Sequence, residues 1–190
     1  MPKNTLKNET KASKLKAVYK RLLQTYGEQG WWPIAGEYSQ DFKTREKTRE
    51  EKFEVAVGAV LTQSTSWKNV EKSLAELRKH ELLNAQEIMQ TPVDELAVVV
   101  KSSGYHTQKA RKLKALAEFW QSSAEKSREN LLSVWGIGPE TADSILLYAF
   151  DKPVFVVDAY TRRIATRLGL VKAEENYSYG ELQEFFQQNL

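Results

Sequence analysis

The chain has 190 residues, 41% of them hydrophobic and 11% aromatic, which excludes a disordered polymer and suffices for one domain or two joined lobes. Its net charge of +3 names no partner, and the lack of cysteine excludes disulfides, thiolate zinc sites and Cys-ligated iron–sulfur clusters. The first 16 residues are polar and Lys-rich without the apolar centre of a signal peptide, and the longest apolar runs, 55–61 and 96–100, are far too short to span a bilayer. The expectation is a cytoplasmic protein without a membrane partner.

Leu15, Val18, Leu22, Leu23 and Tyr26 fall at helical spacing, predicting a first amphipathic helix that stops at Gly27. Gly30-Trp31-Trp32-Pro33 and Gly36 form a loop with a heavy aromatic load. Residues 41–52 are highly charged and read as an exposed helix start or an inserted loop. Residues 53–63 read as a buried helix and 66–80 as an amphipathic one. Pro92 and Asp94 open a short helix ending near Ser102. After Gly104, Thr107 is placed to cap a long helix carrying Ala110, Leu113, Leu116, Ala117 and Trp120. Residues 154–157 are a short β-branched and aromatic run without a strand partner, hence an extended connector. Two more helices follow, 160–168 and 179–188. The fold class is all-α.

Charge is unevenly spread. Residues 1–52 hold 12 Lys/Arg against 7 Asp/Glu, and residues 101–128 hold 7 against 2, while the remainder is acidic. Such clustering fits a one-sided phosphate-binding face, and it fits solvated helix faces equally well.

The densest information lies in Leu132-Ser133-Val134-Trp135-Gly136-Ile137-Gly138-Pro139-Glu140-Thr141-Ala142. Gly136 and Gly138 permit a tight turn, with Ile137 as its apolar anchor and Pro139 suited to a first helical turn. The free N–H groups of that helix start, with the positive end of its dipole, form a phosphate site. Alone, the pattern also fits any tight helix–helix turn. Asp158 follows 18 residues after Glu140, at another helix start, where an Asp is also an ordinary N-cap.

Residues 131–149, then Asp151-Lys152-Pro153 and Val156-Val157-Asp158, resemble the helix-hairpin-helix DNA glycosylase superfamily, the group that includes endonuclease III. Residues 57–63, ending Thr62-Gln63, resemble the family's early helix and its DNA-probing Gln. Gly104-Tyr105 with Gln108-Lys109-Ala110 resembles the turn opening its central helix. The resemblance runs from about Trp31 to Leu190. It implies a two-lobed fold: 1–43 as the N-terminal part of a second lobe with the aromatic loop, 44–152 as a six-helix domain with the hairpin at 131–143, and 153–190 as the rest of the second lobe. Gly36–Lys52 reads as an insertion, and the chain stops one or two helices short of where family members end, so that lobe is expected to be incomplete.

The resemblance also implies a reaction. Endonuclease-III-type enzymes carry a lyase Lys where this chain has Glu140, and a carboxylate cannot form a Schiff base. The expectation is therefore a monofunctional glycosylase without β-lyase activity, with Asp158 as the catalytic carboxylate and Glu140 as a secondary acid–base group. The chain looks most like bacterial 3-methyladenine DNA glycosylases lacking the iron–sulfur cluster, with Trp31, Trp32 and Phe53 as the base pocket. Uracil, mismatched thymine or an oxidised purine are alternative substrates, and an inactive DNA-binding module is an alternative function. DNA contacts are expected from Gln63, Gly136, Ile137, Gly138, Glu140, Thr141, Lys109, Arg111, Lys112, Arg162 and Arg163. No cofactor is required. Family hairpins hold Na+ or K+ on main-chain carbonyls, here those of Leu132, Val134 and Ile137. The partner is double-stranded DNA with a damaged base, in a bacterial or archaeal nucleoid, with no obligatory protein partner.

Overall fold

Helical periodicity becomes helix along most of the chain. The structure, a computed structural model, describes residues 5–172 and 174–190. The helices are α1 (Thr5–Tyr26), α2 (Asp41–Thr44), α3 (Arg49–Leu61), α4 (Trp67–Lys79), α5 (Ala85–Gln90), α6 (Val93–Val99), α7 (His106–Gln121), α8 (Arg128–Ser133), α9 (Pro139–Phe150), α10 (Ala159–Arg167) and α11 (Tyr179–Asn189), with a 3-10 turn at Lys101–Ser103. Among the described residues there is no strand; one isolated bridge pairs Ile34 with Glu37. The connector at 154–157 is neither helix nor strand. No described helix is long and apolar enough to cross a membrane.

Local chemistry sets the helix ends. Thr48 and Glu51 close a reciprocal capping box that starts α3, and Ser178 with Glu181 does the same for α11. Ser66 and His80 flank α4, whose inward face is Val70, Ser73, Leu74 and Leu77. Thr107 does not cap α7. The chain turns through Gly104 (φ +70°) and Tyr105 (φ +44°), and the helix has already begun at His106. The short α5 gives too few inward residues, Ala85 and Ile88, to register as a period; its signal is the Asn84 side chain accepting from Gln86 N.

The chain divides into two compact units. One is Gly30–Pro153; the other joins the N-terminal helix to residues from Val154 onward. The boundary falls at Gly30, not at residue 44, because the aromatic loop packs on α3 and α4. The Trp32 ring lies against Gly58, where an added Cβ would come within 3.0 Å of it.

At the centre of Gly30–Pro153 runs α3, buried on every side from Phe53 to Leu61, packed on α9 and α7. Three polar ties hold its neighbours. Glu54, 8% exposed, accepts from Ala35 N and from the Arg78 guanidinium, both at 2.8 Å, joining the aromatic loop to α4. Arg128 at the start of α8 makes a two-pronged contact with the fully buried Asp143 of α9, Nε–Oδ1 2.7 Å and Nη2–Oδ2 3.2 Å. The buried Lys47 ammonium meets Asp151 Oδ1 at 2.7 Å, where α9 ends in a left-handed residue.

In the other unit α1 packs against α11. Leu15, Val157, Ala165, Leu170, Val171, Leu182 and Phe186 form its core, with Phe155 stacked on Phe186 at 4.4 Å. The Lys14 ammonium donates to the Leu168 carbonyl at the end of α10.

Candidate nucleic-acid interface and active site

Gly30–Pro153 carries the hairpin between α8 and α9. Val134 N donates to Leu131 O and Ile137 N to Val134 O, both at 3.1 Å, so the turn closes on its own backbone. Ile137 is its buried anchor at 6% exposure, as the sequence implied. Gly136 adopts φ +85°, and a Cβ there would meet Lys112 Cγ at 2.5 Å. Two reasons thus converge on glycine at 136, one conformational and one steric. Gly138 faces open space, Pro139 takes the first helical position, and Glu140 and Gly138 are exposed. The start of α9 has no side-chain cap at Gly138.

Several expected contact residues converge on this turn. Gln63, just past α3, donates from Nε2 to Gly136 O at 3.1 Å and to Thr141 Oγ1 at 3.0 Å. Lys112 Nζ donates to Gln63 Oε1 at 2.5 Å while its stem covers Gly136. Among the described residues no hydrogen bond reaches the carbonyls of Leu132 or Ile137, and Val134 O accepts only from Ile137 N. The oxygens expected to hold a monovalent cation thus retain acceptor capacity.

Lys109 does not join them. It is 2% exposed, and its ammonium donates to Leu61 O at 2.7 Å and Ser103 O at 2.6 Å. Burial, helped by the Lys112 charge, lowers its pKa to about 8. A cation spent on two interior carbonyls is a tie between α3 and the turn before α7, not a phosphate contact. Arg111, two residues further and hence on the opposite side of α7, is exposed.

Phe53 also leaves the expected set. At 2% exposure it packs on Trp120, ring centres 5.3 Å apart, and has no face open to a base. Trp67, at the start of α4, packs on the aromatic loop instead. Trp31 and Trp67 are both half-buried, with ring centres 4.6 Å apart, and Tyr38 lies 6.2 Å from Trp31. Trp67 Nε1 donates to Tyr38 OH at 2.6 Å, and that hydroxyl donates to Glu71 at 3.0 Å, so the indole is held in one orientation. Trp32 lies beneath, 6% exposed, 5.1 Å from both indoles and 5.4 Å from Tyr148. Its buried Nε1 has no hydrogen-bond partner among the described residues. Trp31 and Trp67 thus present partly open electron-rich rings, with the buried Trp32 packed against both.

A groove of about 700 Å³, lined by Lys47, Arg49, Lys52, Lys126, Trp120 and Phe150, opens at the other end of α3, α7 and α9. The 12 residues of α9 separate it from the hairpin by about 18 Å. It is not part of the site.

In the other unit Asp158 is the N-cap of α10. Its Oδ1 accepts from Thr161 N at 2.6 Å and from Thr161 Oγ1 at 2.7 Å. The side chain is half-exposed, and Oδ2 carries no hydrogen bond among the described residues. The N-cap reading is therefore realised, and one carboxylate oxygen remains available beyond it. Arg162 donates to Tyr177 O at 2.7 Å, and Arg163 lies 4.8 Å over the Tyr160 ring; both stay exposed. No three His, Asp or Glu residues among those described are grouped to hold a metal ion.

The family described as "HhH-GPD superfamily base excision DNA repair protein" matches residues 57–188. A Methanocaldococcus jannaschii protein, provisionally ascribed a DNA repair glycosylase role, is 39% identical across 96% of this chain and 81% of its own length. Endonuclease III of Thermotoga maritima is 34% identical across 63% of this chain and 58% of its own. The crystal structure of the H. pylori 3-methyladenine DNA glycosylase bound to 1,N6-ethenoadenine superposes with a TM-score of 0.70 at 31% identity, covering 94% of this chain and 81% of that one.

Proposed function

The chain belongs to the HhH-GPD superfamily of base excision DNA repair proteins, and from that membership we propose that it is a monofunctional glycosylase for an alkylated purine, best exemplified by 3-methyladenine. The observation that carries the choice of lesion is the pair of half-exposed indoles, Trp31 and Trp67, at 4.6 Å. Alkylation at N3 gives a purine a positive charge, and indole is the strongest aromatic partner for a cation. The similarity to the H. pylori enzyme supports the same choice.

The hairpin amides from Gly138 onward grip a backbone phosphate, and the target nucleotide is taken out of the stack. The base then rests against the indole faces. Asp158 acts on the sugar. As the glycosidic bond breaks, its electron pair leaves with the cationic base, which departs neutral. The Asp158 carboxylate stabilises the positive charge developing at C1′ and takes a proton from the water that adds there. A monovalent cation, where bound, would sit on the carbonyls of Leu132, Val134 and Ile137 and offset phosphate charge. Glu140, exposed on the first turn of α9, offers no amine for a Schiff base, which supports hydrolysis without strand cleavage.

Incubation with duplexes carrying 3-methyladenine, uracil, mismatched thymine or an oxidised purine tests the reading. The expected result is release of 3-methyladenine, with strand breaks only after alkali. Asp158→Asn keeps an N-cap side chain and should lower release by about 10³-fold or more. Preference for another base refutes the lesion assignment, nicking without alkali refutes the monofunctional assignment, and undiminished release by Asp158→Asn refutes the role of that carboxylate.

A further inference from the structure

We propose that Trp135 is an apolar DNA-contact residue, packing its indole on the deoxyribose next to the phosphate gripped by the hairpin; this rests on the DNA glycosylase reading above. The hairpin alternates its side chains sharply. Val134 and Ile137 point inward at 9% and 6% exposure, while Trp135 between them is 57% exposed. Its backbone is fixed on both sides, by Val134 N to Leu131 O and by Ile137 N to Val134 O. The stem of Lys112 covers the neighbouring Gly136.

The other four tryptophans are gathered into ring clusters. Trp31, Trp32 and Trp67 contact one another, and Trp120 packs on Phe53 and Phe150. Trp135 has no ring partner among the described residues and stands in solvent beside the uncapped start of α9. An indole thus stands in water on a backbone fixed at both sides, next to the start of α9.

A strand whose phosphate lies on the first amides of α9 presents its sugar to the residues just before them. Deoxyribose offers a C–H face, which suits the flat indole, and Nε1–H can donate to a neighbouring phosphate oxygen. A ribose at the same place adds a 2′-hydroxyl that must be desolvated or hydrogen-bonded. The contact is short-range and uncharged, so its salt dependence differs from that of a Lys or Arg contact.

Binding of a short duplex with a non-hydrolysable abasic analogue, measured over a salt series, tests this. Trp135→Ala should weaken binding about tenfold at every salt concentration, with the slope of log Kd against log salt unchanged. Trp135→Phe should recover most of the loss, and Arg111→Ala should instead reduce the slope. Equal binding by Trp135→Ala and wild type, or a loss that grows as salt falls, overturns the proposal while leaving the glycosylase reading intact. No duplex binding by the wild type overturns both.

Discussion

Replacing Lys109 by Met should abolish a specific rise of stability with pH. The side chain is 2% exposed, and burial, followed by the nearby Lys112 charge, lowers its pKa from 10.5 to about 8. Below about pH 8 the folded and unfolded chains both hold the proton, so the full cost of burying the charge weighs against the fold. Between about 8 and 10.5 the folded chain releases that proton while the unfolded chain retains it, so stability rises through this window. At about 1.4 kcal/mol per pH unit, the gain approaches about 3 kcal/mol. The carbonyls of Leu61 and Ser103 favour the charged form, which makes that figure a ceiling.

Lys109→Met removes the titration but leaves two interior carbonyls without a donor, at about 1–3 kcal/mol each. Absolute stability at one pH is therefore a poor readout; the pH dependence is the informative one. Urea unfolding at pH 7, 8, 9 and 10 should give a wild-type-minus-variant difference that climbs with pH by up to about 3 kcal/mol. A flat difference refutes the buried-cation reasoning. The same variant should keep the salt slope of DNA binding, and loss of about one unit of slope would return Lys109 to the phosphate-binding set.

Two further substitutions probe the hairpin's supports. Gly136→Ala places a Cβ 2.5 Å from Lys112 Cγ at a backbone angle of φ +85°, and should cost about 1–3 kcal/mol in thermal unfolding while weakening duplex binding. Arg128→Ala removes a two-pronged cationic partner from the fully buried Asp143 carboxylate and should cost about 2–3 kcal/mol by denaturant titration. An Arg128→Ala variant as stable as wild type would show that α8 and α9 are held by apolar packing alone.

Much of the fold was legible because its signals are local. The Gly-x-Gly turn, Pro139 at a helix start and Asp158 at another are written in adjacent residues, and the structure realises each. Trp67 was not legible. It opens an amphipathic helix 36 positions after Trp31, and only the packing of the loop on α3 and α4 brings the two indoles together. Phe53 misled for the opposite reason: its place in the helix leading to Gln63 says nothing about which way the ring turns, and it turns toward Trp120. Lys109 shows the same limit. Helical period gives the face a cation occupies, but here that face points at two interior carbonyls, and no one-dimensional signal marks those acceptors. Glu54 lies within an otherwise apolar stretch, and its worth depends on Ala35 and Arg78, one on either side of it in sequence and neither near it.

The amide of Gln63 is docked, not idle. It holds the Gly136 carbonyl and the Thr141 hydroxyl, and its own oxygen is held by Lys112. A side chain so engaged cannot reach into a vacated helix stack without first letting go of the loop. Any excursion of Gln63 therefore breaks its bonds to Gly136 and Thr141 and releases the Lys112 ammonium from its side-chain oxygen. In the proposed DNA complex, a Gln63 excursion toward the strand and the clasp of the loop would draw on one shared set of bonds, so neither would be energetically independent of the other.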